Sequence, residues 1–99
     1  MLVVISRFTI ANDMVAAVRD AFQNRPHLVD TVPGFVRMEV MCPTDKPEEI
    51  WLKTYWLDEA SFENWHHSHA YHDSHQGMPK GLKLVPKSTE IRRFELFAE

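Results

Sequence analysis

The chain has 99 residues, 44% of them apolar and 25% charged, which is the composition of an ordinary soluble globular protein and predicts a single domain spanning residues 1–99. The formal net charge of −3, without any Lys/Arg-rich block, argues against a nucleic-acid partner or an anionic membrane surface. Because Cys42 is the single cysteine and neither a signal peptide nor a membrane-length apolar stretch is visible, we expect a cytoplasmic protein.

The first two predicted elements are a strand and an amphipathic helix. Residues 2–10 are dominated by β-branched and aromatic side chains on both faces, with Ser6 as a polar exception, so this strand should be covered on both sides. Asn12 is the expected N-cap of a helix that Pro26 ends. The apolar stripe of this helix consists of Val15, Val18 and Phe22.

The middle of the chain predicts two strands. In residues 35–42, apolar side chains alternate with charged ones. Residues 50–57 also have the period of a strand, with bulky side chains on both faces. Only the short, proline-containing segment 43–47 and its immediate neighbours separate the two runs. We therefore expect an antiparallel hairpin.

A second helix should begin after Asp58, whose carboxylate is suited to cap its first turn. Phe62 and Trp65, three residues apart, set the buried face. If the helical phase continues, it brings His72 and His75 to about the same side as Trp65.

The last predicted strand covers residues 89–97, with Ile91 and Phe94 as its most buried side chains. The resulting order β-α-β-β-α-β predicts an α+β, ferredoxin-like fold in which both helices lie on one face of an antiparallel sheet. Since the first and third strands are apolar on both sides, we expect a homodimer whose two sheets enclose a β-barrel. The ligand space should lie within each subunit, between sheet and helices.

Histidines are concentrated just behind Trp65. Five of the six lie within ten residues, at His66, His67, His69, His72 and His75. Imidazole binds iron, zinc and copper and transfers protons near neutral pH, which makes this segment the candidate site. The alternative is that these histidines form a solvated polar surface.

Three stretches of sequence resemble one family. They are the run Val32-Pro-Gly-Phe-Val36, the run Thr54-Tyr-Trp56 and the run Asp58-Glu-Ala-Ser-Phe-Glu-Asn-Trp65. Together with the order of elements, they are similar to the antibiotic biosynthesis monooxygenase superfamily. The resemblance implies a dimeric α+β barrel. The superfamily includes cofactor-independent oxygenases of phenolic or quinol substrates, haem degraders and proteins without a known activity.

A finer resemblance is to the haem-degrading branch of that superfamily. In that branch a tryptophan on the second helix precedes the iron-ligating histidine by ten residues, and here Trp65 precedes His75 by ten. The branch also has an asparagine before a basic residue on the first strand, where this chain has Ser6 before Arg7. A serine hydroxyl offers one donor on a shorter arm, whereas an asparagine amide offers two.

The resemblance implies a haem-binding monooxygenase that opens the porphyrin ring and releases iron, with electrons supplied by a separate reductase. His75 would ligate the iron, with His72 as the next candidate, Trp65 would press on the porphyrin and Ser6 would face its distal side. Haem would be both cofactor and substrate. The candidates to meet its propionates are Lys80, Lys83 and Lys87.

Three alternatives remain open from the sequence. In the first, a cofactor-independent monooxygenase oxidises a small aromatic ligand, with His69, Tyr71 or His72 transferring protons. In the second, the protein binds haem through His75 without turning it over. In the third, several histidines form a zinc or nickel site, although their spacings lack the i, i+4 pair of helical zinc sites.

Overall fold

A computed structural model describes residues 1–68 and 78–99. The elements follow the predicted order β-α-β-β-α-β, with one short 3₁₀ helix, η1, between the first helix and the second strand. Their bounds are β1 Leu2–Thr9, α1 Val15–Gln23, η1 Val29–Thr31, β2 Phe35–Met41, β3 Glu49–Trp56, α2 Glu59–His66 and β4 Glu90–Glu95. None of the helices within these described ranges is long and apolar enough to cross a membrane.

The four strands form one antiparallel sheet in the order β2-β3-β1-β4. This is the ferredoxin-like arrangement, and the predicted hairpin of β2 and β3 is confirmed. Ser6 in the middle of β1 lies opposite Leu52 in β3 and Ile91 in β4. Because strand side chains alternate, these three residues share one face, which we call the inner face, and Val3, Ile5 and Arg7 lie on the outer face.

Apolar residues of the inner face gather into two clusters, one at each end of the sheet. The first cluster is centred on Val4, Val29, Trp56 and Phe62. The second is centred on Ile10, Val18 and Ile50, with Cys42 packed against it as a small apolar side chain. In the middle of the inner face, Leu52 packs against the edge of the second cluster, and Ser6 belongs to neither cluster.

The outer face is covered in part by its own long side chains. Val3 and Tyr55 are only 5% exposed although neither helix lies on this side. The Arg37 guanidinium carbon lies 3.8 Å from the centroid of the Tyr55 ring, and Lys53 Nζ lies 5.2 Å from the same centroid. Cationic side chains lay their aliphatic stems over these apolar groups. Part of the outer face is thus covered within one chain, and the homodimer expected from the two-sided apolar strands stays a prediction.

The start of α1 differs from the prediction. The helix begins at Val15 with Met14 at the N-cap position and without a side-chain cap, so the assignment of Asn12 as N-cap is wrong. Asn12 Nδ2 instead donates to the backbone oxygen of Gly81, 2.9 Å away, which ties the start of α1 to the distant segment 78–85. The end of α1 at Gln23, ahead of Pro26, is as expected.

The predicted cap of α2 is confirmed. Asp58 Oδ1 accepts hydrogen bonds from Ser61 N at 2.8 Å and from Ser61 Oγ at 2.7 Å. These bonds hold the pKa of the Asp58 carboxyl below its ordinary value. The helix ends at His66, so its phase does not carry through Ser68 as the sequence suggested.

The prediction that Ile91 and Phe94 are the most buried residues of the last strand is wrong within one chain, where they are 49% and 39% exposed. β4 is an edge strand whose inner and outer faces are both open. Ile91 lies on the inner face and Phe94 on the outer face.

Candidate functional site

A cavity of about 760 Å³ lies over the middle of the inner face, between the two apolar clusters. Its floor is formed by the sheet, and its walls by α1, by the segment after α1, by Trp65 of α2 and by the segment 78–84. This agrees with the predicted ligand space between sheet and helices. The cavity falls within the usual size range of pockets for small organic ligands, about 300–1,000 Å³.

The sheet side of the cavity is apolar except for two hydroxyls, that of Ser6 in the floor and that of Thr89 just before β4. The floor residues are Ser6, Phe8, Met38, Leu52 and Ile91. The Ser6 hydroxyl makes no side-chain hydrogen bond with any residue of the described ranges, so it is free to bond to a ligand. Ser6 lies on the cavity side of β1, while the neighbouring Arg7 pairs with Glu90 at 2.9 Å on the outer face. The role that the resemblance implies for Ser6 stays a prediction.

Two small side chains make room for the cavity. Ala17 and Ala21 lie four residues apart on α1 and both line the cavity, whereas Val18 on the adjoining stripe is fully buried against the sheet. Residues four apart share one side of a helix, so the missing side-chain volume adds up along that side. Ala17 and Ala21 were not predicted as site residues, because α1 was identified only by its stripe of large apolar side chains.

Trp65 joins the core to the cavity. Its ring centroid lies 5.7 Å from that of Trp56, with the planes inclined by 34°, and Trp56 is fully buried. Trp56 is fixed in turn, because its Nε1 donates to Thr54 Oγ1 at 3.0 Å. Trp65 also lines the cavity, so the indole that the sequence singled out is both a packing residue and a wall of the candidate site.

A cluster of paired polar side chains follows α1 on the cavity wall. Arg25 Nη1 lies 3.0 Å from Asp30 Oδ1, and His27 Nδ1 lies 3.0 Å from Asp30 Oδ2. Arg25 and His27 line the cavity. Burial acts to raise the pKa of Asp30, but the hydrogen bonds from Arg25 and His27 outweigh it and lower that pKa below its ordinary value. His27 adopts a left-handed backbone conformation, with φ of 42°, that non-glycine residues rarely adopt.

The segment after position 77 closes one end of the cavity. Met78, Pro79, Leu82 and Leu84 line it. The backbone nitrogen of Ala11 donates to the Lys83 oxygen at 2.8 Å, and Ile10 pairs with Leu84, so this segment is anchored to the end of β1. Lys80, Lys83 and Lys87, which the sequence suggested as propionate partners, do not line the cavity; Arg25 does.

The antibiotic biosynthesis monooxygenase model matches residues 1–77, more than three quarters of the chain. The chain belongs to this family. Its α+β fold, with both helices on one face of the β2-β3-β1-β4 sheet, is the one that the resemblance implied for a single subunit.

Similar proteins in this family include both kinds of oxygenase. A protein of Bacillus thuringiensis subsp. konkukian named heme-degrading monooxygenase is 31% identical over 83 residues, which cover 76% of this chain and 78% of the relative. The heme-degrader MhuD from Mycobacterium tuberculosis, solved with two hemes in its active site, is 20% identical with a TM-score of 0.80 and coverage of 100% and 98% of the two chains. SnoaB, a cofactor-independent oxygenase from Streptomyces nogalater, is 18% identical with a TM-score of 0.77 and coverage of 99% and 94%. At these identities the two solved structures establish the fold.

The histidines of this family member divide into two groups. His69, His72 and His75, together with Tyr71, lie outside the described residues. Of the others, the His66 ring stacks on Phe62 with centroids 5.3 Å apart, and His67 Nε2 lies 3.0 Å from Glu63 Oε2. Within residues 1–68 and 78–99, no group of three or more His, Cys, Asp or Glu side chains could hold a metal ion.

Proposed function

We propose that this protein binds haem in the inner-face cavity and opens the porphyrin ring oxidatively, releasing the iron. The observation that carries the proposal is the exposure of large apolar side chains in one place. Leu28, Leu84 and Ile91 are 38%, 39% and 49% exposed, and all three line this cavity. Apolar side chains gathered in a concave site, rather than scattered singly, are typical of a binding site for an apolar ligand.

The described residues fit a porphyrin. The macrocycle is flat and apolar and carries two carboxylates at one edge, and the cavity offers an apolar floor, an indole on its wall and the Arg25 guanidinium for a carboxylate. A guanidinium can bind a carboxylate through two parallel hydrogen bonds, which fixes orientation as well as adding affinity. Arg25 therefore replaces the three lysines as the proposed propionate partner.

The residue roles remain those suggested by the family resemblance. His75 is the proposed iron ligand, with His72 as the alternative. When bound, haem supplies the iron on which dioxygen is activated, with electrons from a separate reductase. Trp65 would contact the porphyrin and press on it. The packing of Trp65 against the buried Trp56 supports this role, because a closely packed side chain resists displacement. Ser6 donates its single hydroxyl proton toward the distal side of the cavity.

The relative from Bacillus thuringiensis supports haem breakdown more directly than the shared fold does. The match covers most of both chains, and the relative is named heme-degrading monooxygenase. A cytoplasmic location is proposed with it, on the single cysteine of the sequence.

We also propose a homodimer that joins the outer faces of two sheets. Phe94 and Met41 are 39% and 47% exposed on or beside that face, which supports a partner surface. The same face carries the Arg7–Glu90 pair, so the interface would combine apolar and charged contacts. Light scattering of protein diluted from high to low micromolar concentration tests this, since a monomer at all concentrations would contradict it.

Haemin titration followed by addition of reductant in air tests the activity. Wild type should bind haemin saturably, and the Soret band should then decay as the ring opens. His75→Ala should weaken binding, whereas His67→Ala is a matched control, because His67 pairs with Glu63 away from the cavity. Unchanged affinity in His75→Ala would transfer the ligand role to another residue, and failure of wild type to bind would end the proposal.

A second candidate function is cofactor-independent oxidation of a small aromatic ligand. The apolar floor with the Ser6 hydroxyl at its centre favours it as a specific observation, since such a floor suits a phenolic ring as well as a porphyrin. Oxygen consumption with a phenolic or quinol substrate by haem-free protein would support this candidate. A third outcome, haemin binding without decay of the Soret band, would indicate a non-catalytic haem-binding protein.

A further inference from the structure

We infer that Arg93 of β4 is a positioning residue for Trp65, because its guanidinium bridges two carboxylates of α2 and thereby fixes the helix that carries the indole. The inference deepens the proposed function by naming a residue, distant from the ligand, on which the cavity wall depends. Nothing in the family resemblance pointed to this position.

The bridge is made of three contacts. Arg93 Nη1 donates to Glu59 Oε1 at 2.6 Å, and Arg93 Nη2 forms an ion pair with Glu63 Oε1. The guanidinium carbon also lies 5.0 Å from the centroid of the Phe62 ring. Glu59, Phe62 and Glu63 occupy positions i, i+3 and i+4, so one arginine contacts one side of α2 over its first two turns.

Charge keeps this bridge intact. The hydrogen bond from Arg93 is the largest influence on Glu63 and lowers its pKa below the ordinary value. The hydrogen bond to Glu59, followed by that to Glu63, raises the pKa of Arg93. Glu63 and Arg93 therefore stay ionised across the neutral pH range. A planar guanidinium can hold both carboxylates at fixed angles, which a lysine ammonium cannot do.

α2 depends on contacts with the rest of the chain for its orientation. It has eight residues, too few for a helix to be stable by itself in water. Phe62 and Trp65 of this helix both pack against Trp56, with ring centroids 5.6 Å and 5.7 Å from that of Trp56. Both ring contacts meet the same Trp56 side chain of β3, whereas the two carboxylates on Arg93 attach the helix to a second strand, β4.

The same aromatic residues connect the bridge to the cavity. Trp56 contacts both Phe62 and Trp65, and the Trp56–Trp65 planes are inclined by 34°. Any rotation of α2 that follows loss of the bridge changes this angle and moves the Trp65 indole relative to the cavity floor. The two indoles thus report directly on the orientation that Arg93 is inferred to set.

Arg92→Gln is the matched control for Arg93→Gln. Arg92 is the neighbouring residue on the same strand but lies on the outer face, with its guanidinium carbon 5.3 Å from the Phe94 ring centroid and its Nε 3.9 Å from Glu90 Oε1. Both arginines thus combine an aromatic contact with a carboxylate contact, and they differ in whether that carboxylate belongs to α2. Any general effect of removing a charge from β4 should appear in both variants.

The experiment measures near-UV circular dichroism of the tryptophans and the affinity for metal-free protoporphyrin IX by fluorescence quenching, with urea unfolding alongside. We expect Arg93→Gln to change the tryptophan circular dichroism and to weaken porphyrin affinity at least threefold, with Arg92→Gln unchanged in both. Glu59→Gln, which leaves the Glu63 pair in place, should give a smaller change of the same kind and serves if Arg93→Gln does not fold.

Lower urea stability of Arg93→Gln with wild-type circular dichroism and wild-type porphyrin affinity would overturn the inference, because the bridge would then add stability without setting orientation. Equal changes in the Arg92→Gln control would overturn it too. The use of a metal-free porphyrin removes iron ligation from the readout. If wild type fails to bind porphyrin, the proposed function fails, while the circular dichroism of the variants still tests the positioning role.

Discussion

Gly34 lies where the turn before β2 meets the start of α2, and its replacement by alanine should be strongly destabilising. Its φ is +86°, in the left-handed region, and a Cβ at this position would lie 2.1 Å from Ser61 Oγ and 2.4 Å from Ser61 Cβ. Ser61 cannot simply rotate away, because its Oγ donates to Asp58 Oδ1 at 2.7 Å and its Cβ is fixed by the helix backbone. The Gly34 oxygen also accepts a hydrogen bond from Leu57 N at 2.8 Å.

The expected magnitude follows from two terms. The left-handed conformation costs a residue with a Cβ about 1–2 kcal/mol. Overpacking against a fixed neighbour adds about 1–3 kcal/mol. Gly34→Ala should therefore lower the free energy of unfolding by about 2–5 kcal/mol, a large share of the roughly 5–15 kcal/mol that stabilises a typical native protein. The melting temperature should fall by at least about 4 °C for each kcal/mol.

Urea unfolding at constant protein concentration measures this loss, with the concentration fixed because a dimer would otherwise contribute. Ser61→Gly removes both atoms that the new Cβ would meet and keeps the backbone hydrogen bond to Asp58. In the double variant Gly34→Ala/Ser61→Gly the overpacking cost should therefore disappear, while the cost of the left-handed backbone remains. The two substitutions should be coupled by about 1–3 kcal/mol. A loss below about 1 kcal/mol in Gly34→Ala, or an absence of coupling, would refute the close approach of this turn to α2.

Three further predictions concern the core, the cavity wall and the floor. Val18 is fully buried, and Val18→Ala should lower the free energy of unfolding, measured in urea, by about 2 kcal/mol, because two methyl groups are lost and leave a space. Because the folded pKa of Asp30 lies below its ordinary 3.8, its contribution to stability is present above that value and is lost as the pH falls through the folded pKa. The free energy of unfolding of Asp30→Asn should fall less steeply below pH 4 than that of wild type. Equal slopes would contradict the pairing of Asp30 with Arg25 and His27. Ser6→Asn should change the rate of haem breakdown while haemin affinity stays within about threefold, and a tenfold change in affinity would place Ser6 in binding instead.

The sheet and the order of elements could be predicted because local patterns are sufficient to specify them. Alternation with a period of two predicted β2 and β3, and the apolar run at the start of the chain predicted β1. The cap at Asp58 could be recognised because capping is a short-range contact between residues three apart. Asn12 has the same chemistry as a cap, yet its amide bonds to Gly81, sixty-nine residues away, and such a long-range partner leaves no local signal.

The cavity could be located only in part. Ser6 and Trp65 were singled out through a family resemblance, and both line it. Arg25 was missed because a cation at a helix end looks like any solvated surface charge until the segment after it folds back over the sheet. Ile91 was taken for a core residue because strand alternation distinguishes two faces but cannot tell a packed face from one that borders a cavity.

The claim on which the account depends is that haem occupies the inner-face cavity, and haemin affinity after filling that cavity tests it most directly. Ala21 lines the cavity, whereas Ala16 on the same helix is exposed and does not. Ala21→Trp should weaken haemin binding at least tenfold while Ala16→Trp binds like wild type. Equal haemin affinity in the two folded variants would contradict the account, because the ligand would then lie elsewhere on the protein.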